Sequence, residues 1–280
     1  MTAPVPALQP ELQLAFLFLP APYRARVTPI FSLRAELLQL ALTARTPEVV
    51  RLRLQWWRDE LPRRGTPAAG HPLLRTLAAE LPPEPLVAMI EGAADLLAAP
   101  AALTAGDALE QAWRTGGAAL VAAIALDTTL AAEAGQSGQA ALAARAIGTA
   151  WRAAEQLAGQ HGQLPPLLAH TPTAPAGEAL ASAHRQLAPI DYAGDIERLL
   201  QQGETGAAAL VPGEAPARRL LFVLAAQTRA QLALLARHDY RPAPAGRPLG
   251  RWRALRASWR GARRSLQPPT SPATPAEERR

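Results

Sequence analysis

Two pairs of carboxylates in this 280-residue chain stand at a spacing that can grip a divalent cation: Asp191 with Asp195, and Glu91 with Asp95. Residues four apart on an α-helix share one face, one turn from each other. A hard cation such as magnesium needs several anionic oxygens, so one pair is half a site and must be met by a second cluster. Neither pair has a matching partner motif. Asp191–Asp195 falls just past Pro189, at an expected helix start where acids complement the positive helix end, and reads as structural. Glu91–Asp95 reads as a structural or surface pair. The five histidines, His71, His161, His170, His184 and His238, lack the i, i+4 spacing of a zinc site. The absence of cysteine excludes disulfides and thiolate metal sites. There is no phosphate-binding glycine loop, no dinucleotide fingerprint and no Gly-x-Ser-x-Gly elbow. From the residues themselves, none of these catalytic motifs is found and the expected metal ligands are none.

The elements around these residues are helical. The apolar fraction is 49%, much of it alanine, and β-branched and aromatic residues are sparse, which disfavours a large sheet. Prolines and glycines lie mainly between periodic stretches. The periodicity predicts helices near 9–19, 24–44, 47–61, 72–81, 84–98, 104–132, 138–160, 176–188, 191–202, 214–238 and 249–264. Residues 1–8 are expected to be a flexible N-terminus and 9–265 one helical domain. The proline-rich, apolar-poor stretch 266–280 is expected to be a disordered tail. The run Leu14–Leu19 is short and stopped by Pro20, and no apolar stretch approaches the ~20 residues of a membrane span. The expected location is cytoplasmic, with the inner face of the membrane as the place for any peripheral contact.

Two helices have informative faces. In 47–61, Thr46, Pro47 and Glu48 mark the start. Val50, Leu54, Trp57 and Leu61 then form a stripe that Val49, Leu52 and Trp56 broaden. Core packing is the expected role of both tryptophans. Residues 241–264 hold eight arginines and no acid, more than the whole net charge of +6. There, Trp252, Leu255 and Trp259 share a face. Arg251, Trp252, Arg256, Trp259 and Arg260 are a candidate membrane or partner surface. The same pattern fits a helix whose tryptophans dock into the protein's own core with the arginines in water, and that ordinary amphipathic arrangement is the expectation. No nucleic-acid recognition motif accompanies the basic segment, so no nucleic-acid partner is expected.

The stretch Arg51-Leu-Arg-Leu-Gln-Trp-Trp-Arg-Asp-Glu-Leu61 resembles a signature of the squalene/phytoene synthase superfamily, with Gln55, Trp56, Trp57 and Arg58 its most specific part. It is most similar to the branch related to the mitochondrial complex I assembly factor. Phe16–Pro20, His71-Pro72, Ile90–Leu96, Trp113–Gly117, Ile147–Trp151, Leu164-Pro165 and Leu210–Pro212 agree with the same superfamily in order. The resemblance spans roughly residues 10–265. It implies an all-α, isoprenoid-synthase-like helical bundle with a central cavity. In the catalytic relatives, two facing aspartate clusters hold magnesium, which grips a prenyl diphosphate.

This sequence departs from that pattern at both clusters. The first region reads Glu36-Leu-Leu-Gln-Leu40, one carboxylate with Leu40 a turn further on. The second reads Trp151-Arg-Ala-Ala-Glu155 and keeps only Glu155. Glu36, Leu40 and Glu155 are thus degenerate motif positions. The resemblance then implies a catalytically inactive protein acting in assembly of the respiratory NADH dehydrogenase, or in lipid or client binding. Its partners would be a protein client or respiratory complex subunit, with a lipid or isoprenoid in the cavity, and it would need no cofactor. The alternative is an active head-to-head prenyltransferase using Mg2+ on divergent ligands drawn from Glu36, Glu155, Glu91 and Asp95.

Overall fold

Proline opens most of the helices, as its fixed φ and missing N–H suit the first turn. The computed structural model describes residues 8–43, 46–97, 105–127, 136–159, 189–210, 215–240 and 248–267. Along the first half of the chain run α1 (Pro10–Phe16), α2 (Ala21–Thr43), α3 (Pro47–Glu60), α4 (Pro72–Thr76) and α5 (Pro83–Asp95). Next come α6 (Ala105–Ala112), a π-helical turn (Trp113–Gly117) and α7 (Ala118–Ile124). The second half holds α8 (Gln136–Leu157), α9 (Pro189–Ala208), α10 (Pro216–Ala236) and α11 (Arg251–Ser265). There is no strand among the described residues. The expected helix at 176–188, and nearly all of the two expected terminal segments, lie outside them.

α8 is the axis of the bundle. It packs against α6, the π turn, α7, α9 and α10. Its alanines, among them Ala140, Ala143, Ala144, Ala150 and Ala153, are buried and let neighbours come close. At Gly148 the approach is tighter still, for a Cβ there would lie 2.6 Å from Gly117 Cα. α10 is long and apolar enough by composition to cross a bilayer, yet Leu220, Leu221, Val223, Leu224 and Leu232 are all in the core. α2 continues through Pro29, which has no N–H to serve the Ala25 carbonyl. Both residues line an open groove of about 600 Å³ between α2 and α4.

Two expected faces are corrected. On α3, Trp57 is in the core at 3% exposure, but Trp56 is 42% exposed, and Val49 and Leu52 are exposed too. α3 lies at the edge of the bundle and touches α5 and α2 along one narrow face, too narrow for the broader stripe. On α11 the tryptophans do not dock. The buried face is Ala254, Ala257, Ser258, Gly261 and Ser265, set against α10 and α1. A Cβ on Gly261 would collide with the Phe222 carbonyl oxygen, so the two helices meet backbone to backbone. The Gln227 side-chain amide donates to Ser258 Oγ (2.8 Å) and to the Glu11 carbonyl (2.8 Å), tying α10 to both α11 and α1. The buried Arg218 donates to the carbonyls of Ser265 and Gln267 at the end of α11.

Candidate functional site

The site is built where α2, the π turn, α8 and α9 meet. Arg34 sits in the apolar run of α2 and is buried, as are Arg152 and Glu155 on α8. Arg34 Nη2 donates to Glu155 Oε2 at 2.6 Å, and Arg152 Nη1 donates to the same oxygen at 3.3 Å. The residues four and three apart on α8, Trp151 with Glu155 and Arg152 with Glu155, bring an indole and a second guanidinium to the same place. Arg34 lies 4.2 Å from the Trp151 ring centroid, a cation–π contact in a site with little water.

The π turn supplies two more acceptors. Arg34 Nε donates to the Thr115 carbonyl (2.8 Å), and Arg152 Nε donates to Thr115 Oγ1 (3.2 Å). Close passage of α8 needs the glycine beside it, because a Cβ on Gly116 would collide with Arg152 Cβ. Burial lowers the Arg152 pKa to about 10, opposed by Glu155, so the guanidinium remains charged at neutral pH. Tyr192 of α9 is buried as well, and burial pushes its phenol pKa upward. Among the described residues, the Tyr192 hydroxyl and Arg152 Nη2 have no hydrogen-bond partner. Two arginines therefore share one glutamate in a buried site.

These side chains fill much of the centre. Beside Trp151, Glu155 and Gln231 lies a gap of about 30 Å³, room for a single water. A larger cleft of about 370 Å³ opens between α1 and α2, lined by Leu8, Leu12, Phe31 and Leu38, with Arg34 at its wall.

Of the degenerate motif positions, the two carboxylates Glu36 and Glu155 are not brought together. Arg34 and Glu36 stand about 200° apart around α2. While Arg34 reaches inward, Glu36 lies by His71 of α4 and favours its protonated form. Leu40 is in the core. Magnesium, implied by the resemblance, does not fit the described residues here. Glu155 is already held by two cations, which would repel a third, and no three His, Asp or Glu side chains converge among the described residues.

The other sequence candidates lie elsewhere. Arg58 pairs with Glu91 and Arg114 with Asp95 (3.0 Å), so this carboxylate pair bridges α5 to α3 and to the π turn at the surface. Gln55 donates to Asp59 (2.8 Å). Asp195 pairs with Arg198 of the same helix, and Asp191 is exposed. His71 caps α4, its Nδ1 accepting from the Leu73 N–H at 3.2 Å. His161, His170 and His184 lie outside the described residues. Sequence reasoning missed Arg34, Arg152, Thr115 and Tyr192. A signal existed for the first: an arginine flanked on its own helix face by Ile30, Phe31, Leu37 and Leu38 needs a buried partner.

The fold is that of the helical isoprenoid synthases. A dehydrosqualene synthase solved in complex with ligand superposes with a TM-score of 0.67, at 14% identity, over 91% of each chain. Squalene synthase HpnC from Alicyclobacillus acidocaldarius gives 0.63 at 17% identity, over 83% of this chain and 90% of its own. No family model matches the sequence, and no curated protein matches it.

Proposed function

We propose that this protein is a non-catalytic squalene/phytoene synthase-like protein that serves assembly of the respiratory NADH dehydrogenase through a lipid or a client segment. The observation that carries the non-catalytic reading is the state of Glu155. The one carboxylate kept at the second motif lies between Arg34 and Arg152 and serves charge balance in the core. A diphosphate-ionising site needs carboxylate oxygens free for metal. Support for the assembly role is the likeness of the Gln55–Arg58 stretch to the assembly-factor branch. The cleft beside Arg34, with Leu8, Leu12, Phe31, Leu38 and Leu42 on its walls and Gln9, Gln39 and Thr43 among them, suits an amphiphile.

Purified protein incubated with magnesium and farnesyl or geranylgeranyl diphosphate is expected to release no diphosphate above a heat-killed control, beside an active synthase. Magnesium-dependent release would establish the prenyltransferase reading instead, which the fold likeness to two synthases favours. Deletion of the gene is expected to lower membrane NADH dehydrogenase activity without loss of isoprenoid products. The reverse result overturns the assembly role.

A further inference from the structure

α11 presents to solvent the residues an amphipathic helix ordinarily buries. With 100° per residue, Trp252, Leu255, Trp259 and Leu266 fall within about 60° of one another. Trp252 is 83% exposed and Trp259 49%. Arg253, Arg256, Arg260 and Arg263 fill the adjoining sector and are exposed. Residues 248–267 contain no acid. Arg264 reaches Glu204 at 3.6 Å, whereas Arg251, Arg253, Arg256, Arg260 and Arg263 have no ion-pair partner among the described residues.

We propose that this outer face of α11 docks flat on an anionic membrane surface. The small-residue inner face is already satisfied by α10 and α1, so the helix needs no rearrangement to offer its tryptophans. Indoles partition into the interfacial layer, where the apolar ring is buried and the N–H stays wet. Unpaired guanidiniums beside them meet lipid phosphates, to which Arg forms paired hydrogen bonds. Charge selects the occupant, since a field of one sign alone needs a surface of the opposite sign. The inference holds whether or not the protein is catalytic.

The test is cosedimentation of the full chain with vesicles rich in phosphatidylglycerol and with pure phosphatidylcholine vesicles. Binding is expected to the first, weakening with added salt, and far less to the second. The Trp252→Ser/Trp259→Ser double variant is expected to bind at least about tenfold more weakly. In the triple variant Arg253→Gln/Arg256→Gln/Arg260→Gln, affinity for the anionic vesicles is expected to drop about fivefold per arginine. Circular dichroism confirms that these exposed changes leave the fold intact. Brominated lipid is expected to quench the tryptophan emission of the wild type, a readout independent of any variant. Absent binding, equal binding to both vesicle types, undiminished binding by either variant, or no quenching overturns the proposal.

Discussion

Arginine does opposite work in two regions of this molecule. In the core, Arg34 and Arg152 are desolvated, share Glu155 and Thr115, and lie against Trp151. On α11, Arg264 reaches Glu204, but Arg251, Arg253, Arg256, Arg260 and Arg263 stand exposed beside the tryptophans with no ion-pair partner among the described residues. The same side chain is a structural cross-link where water is excluded and a free contact where it is not. Coulomb attraction is several-fold stronger in the first setting, and so is the penalty for breaking it.

The largest effect should come from Glu155→Gln, which leaves two buried guanidiniums without a counter-charge. A loss of about 3–5 kcal/mol in urea unfolding is expected. A loss near zero would mean that water or a bound anion balances the arginines. Trp57→Ala should cost about 3–5 kcal/mol and Trp56→Ala less than about 1 kcal/mol. Equal losses would show that the α3 edge is buried by something outside the chain. Gly261→Ala tests the contact that turns the α11 tryptophans outward, and overpacking against Phe222 should cost about 1–3 kcal/mol by thermal unfolding. Neutralising Arg256 or Arg260 should change stability by no more than about 0.5 kcal/mol, which sharpens the contrast with Glu155.

The smallest effect concerns pH. Burial lowers the His71 pKa below its ordinary value, so the unfolded chain binds the extra proton more readily. Stability supplied by neutral His71 is therefore present above about pH 6.5 and lost as pH falls through that value toward the folded pKa. His71→Asn keeps a capping acceptor and should flatten this part of the stability–pH curve. An unchanged slope would assign it to other groups.

Most helices were legible because proline and glycine interrupt the apolar periodicity at their ends. α2, α3, α5 and α8 fall close to the expected ranges. The orientation of α11 was not legible, because the apolar stripe rule assumes that large residues face inward. Here Ala254, Ala257 and Gly261 allow an approach that large residues would prevent. The inner arginine cluster escaped notice for a different reason. Arg34 and Glu155 are 121 residues apart, and neither motif spacing nor periodicity links positions that only the fold brings together. The lost aspartates were visible as a departure from a pattern, but not what Glu155 does in their place.

The π turn at Trp113–Gly117 also fixes the rotational phase of α7. One wider turn inside a helix is equivalent to one inserted residue. Wound as a plain α-helix at its present length, the segment would rotate α7 relative to α6 by about 100°. Thr115 would leave both arginines, and Gly117 would leave its place against Gly148. Insertions and deletions elsewhere in a bundle shift loops. At this position the wider turn itself keeps the two halves of the interior in register.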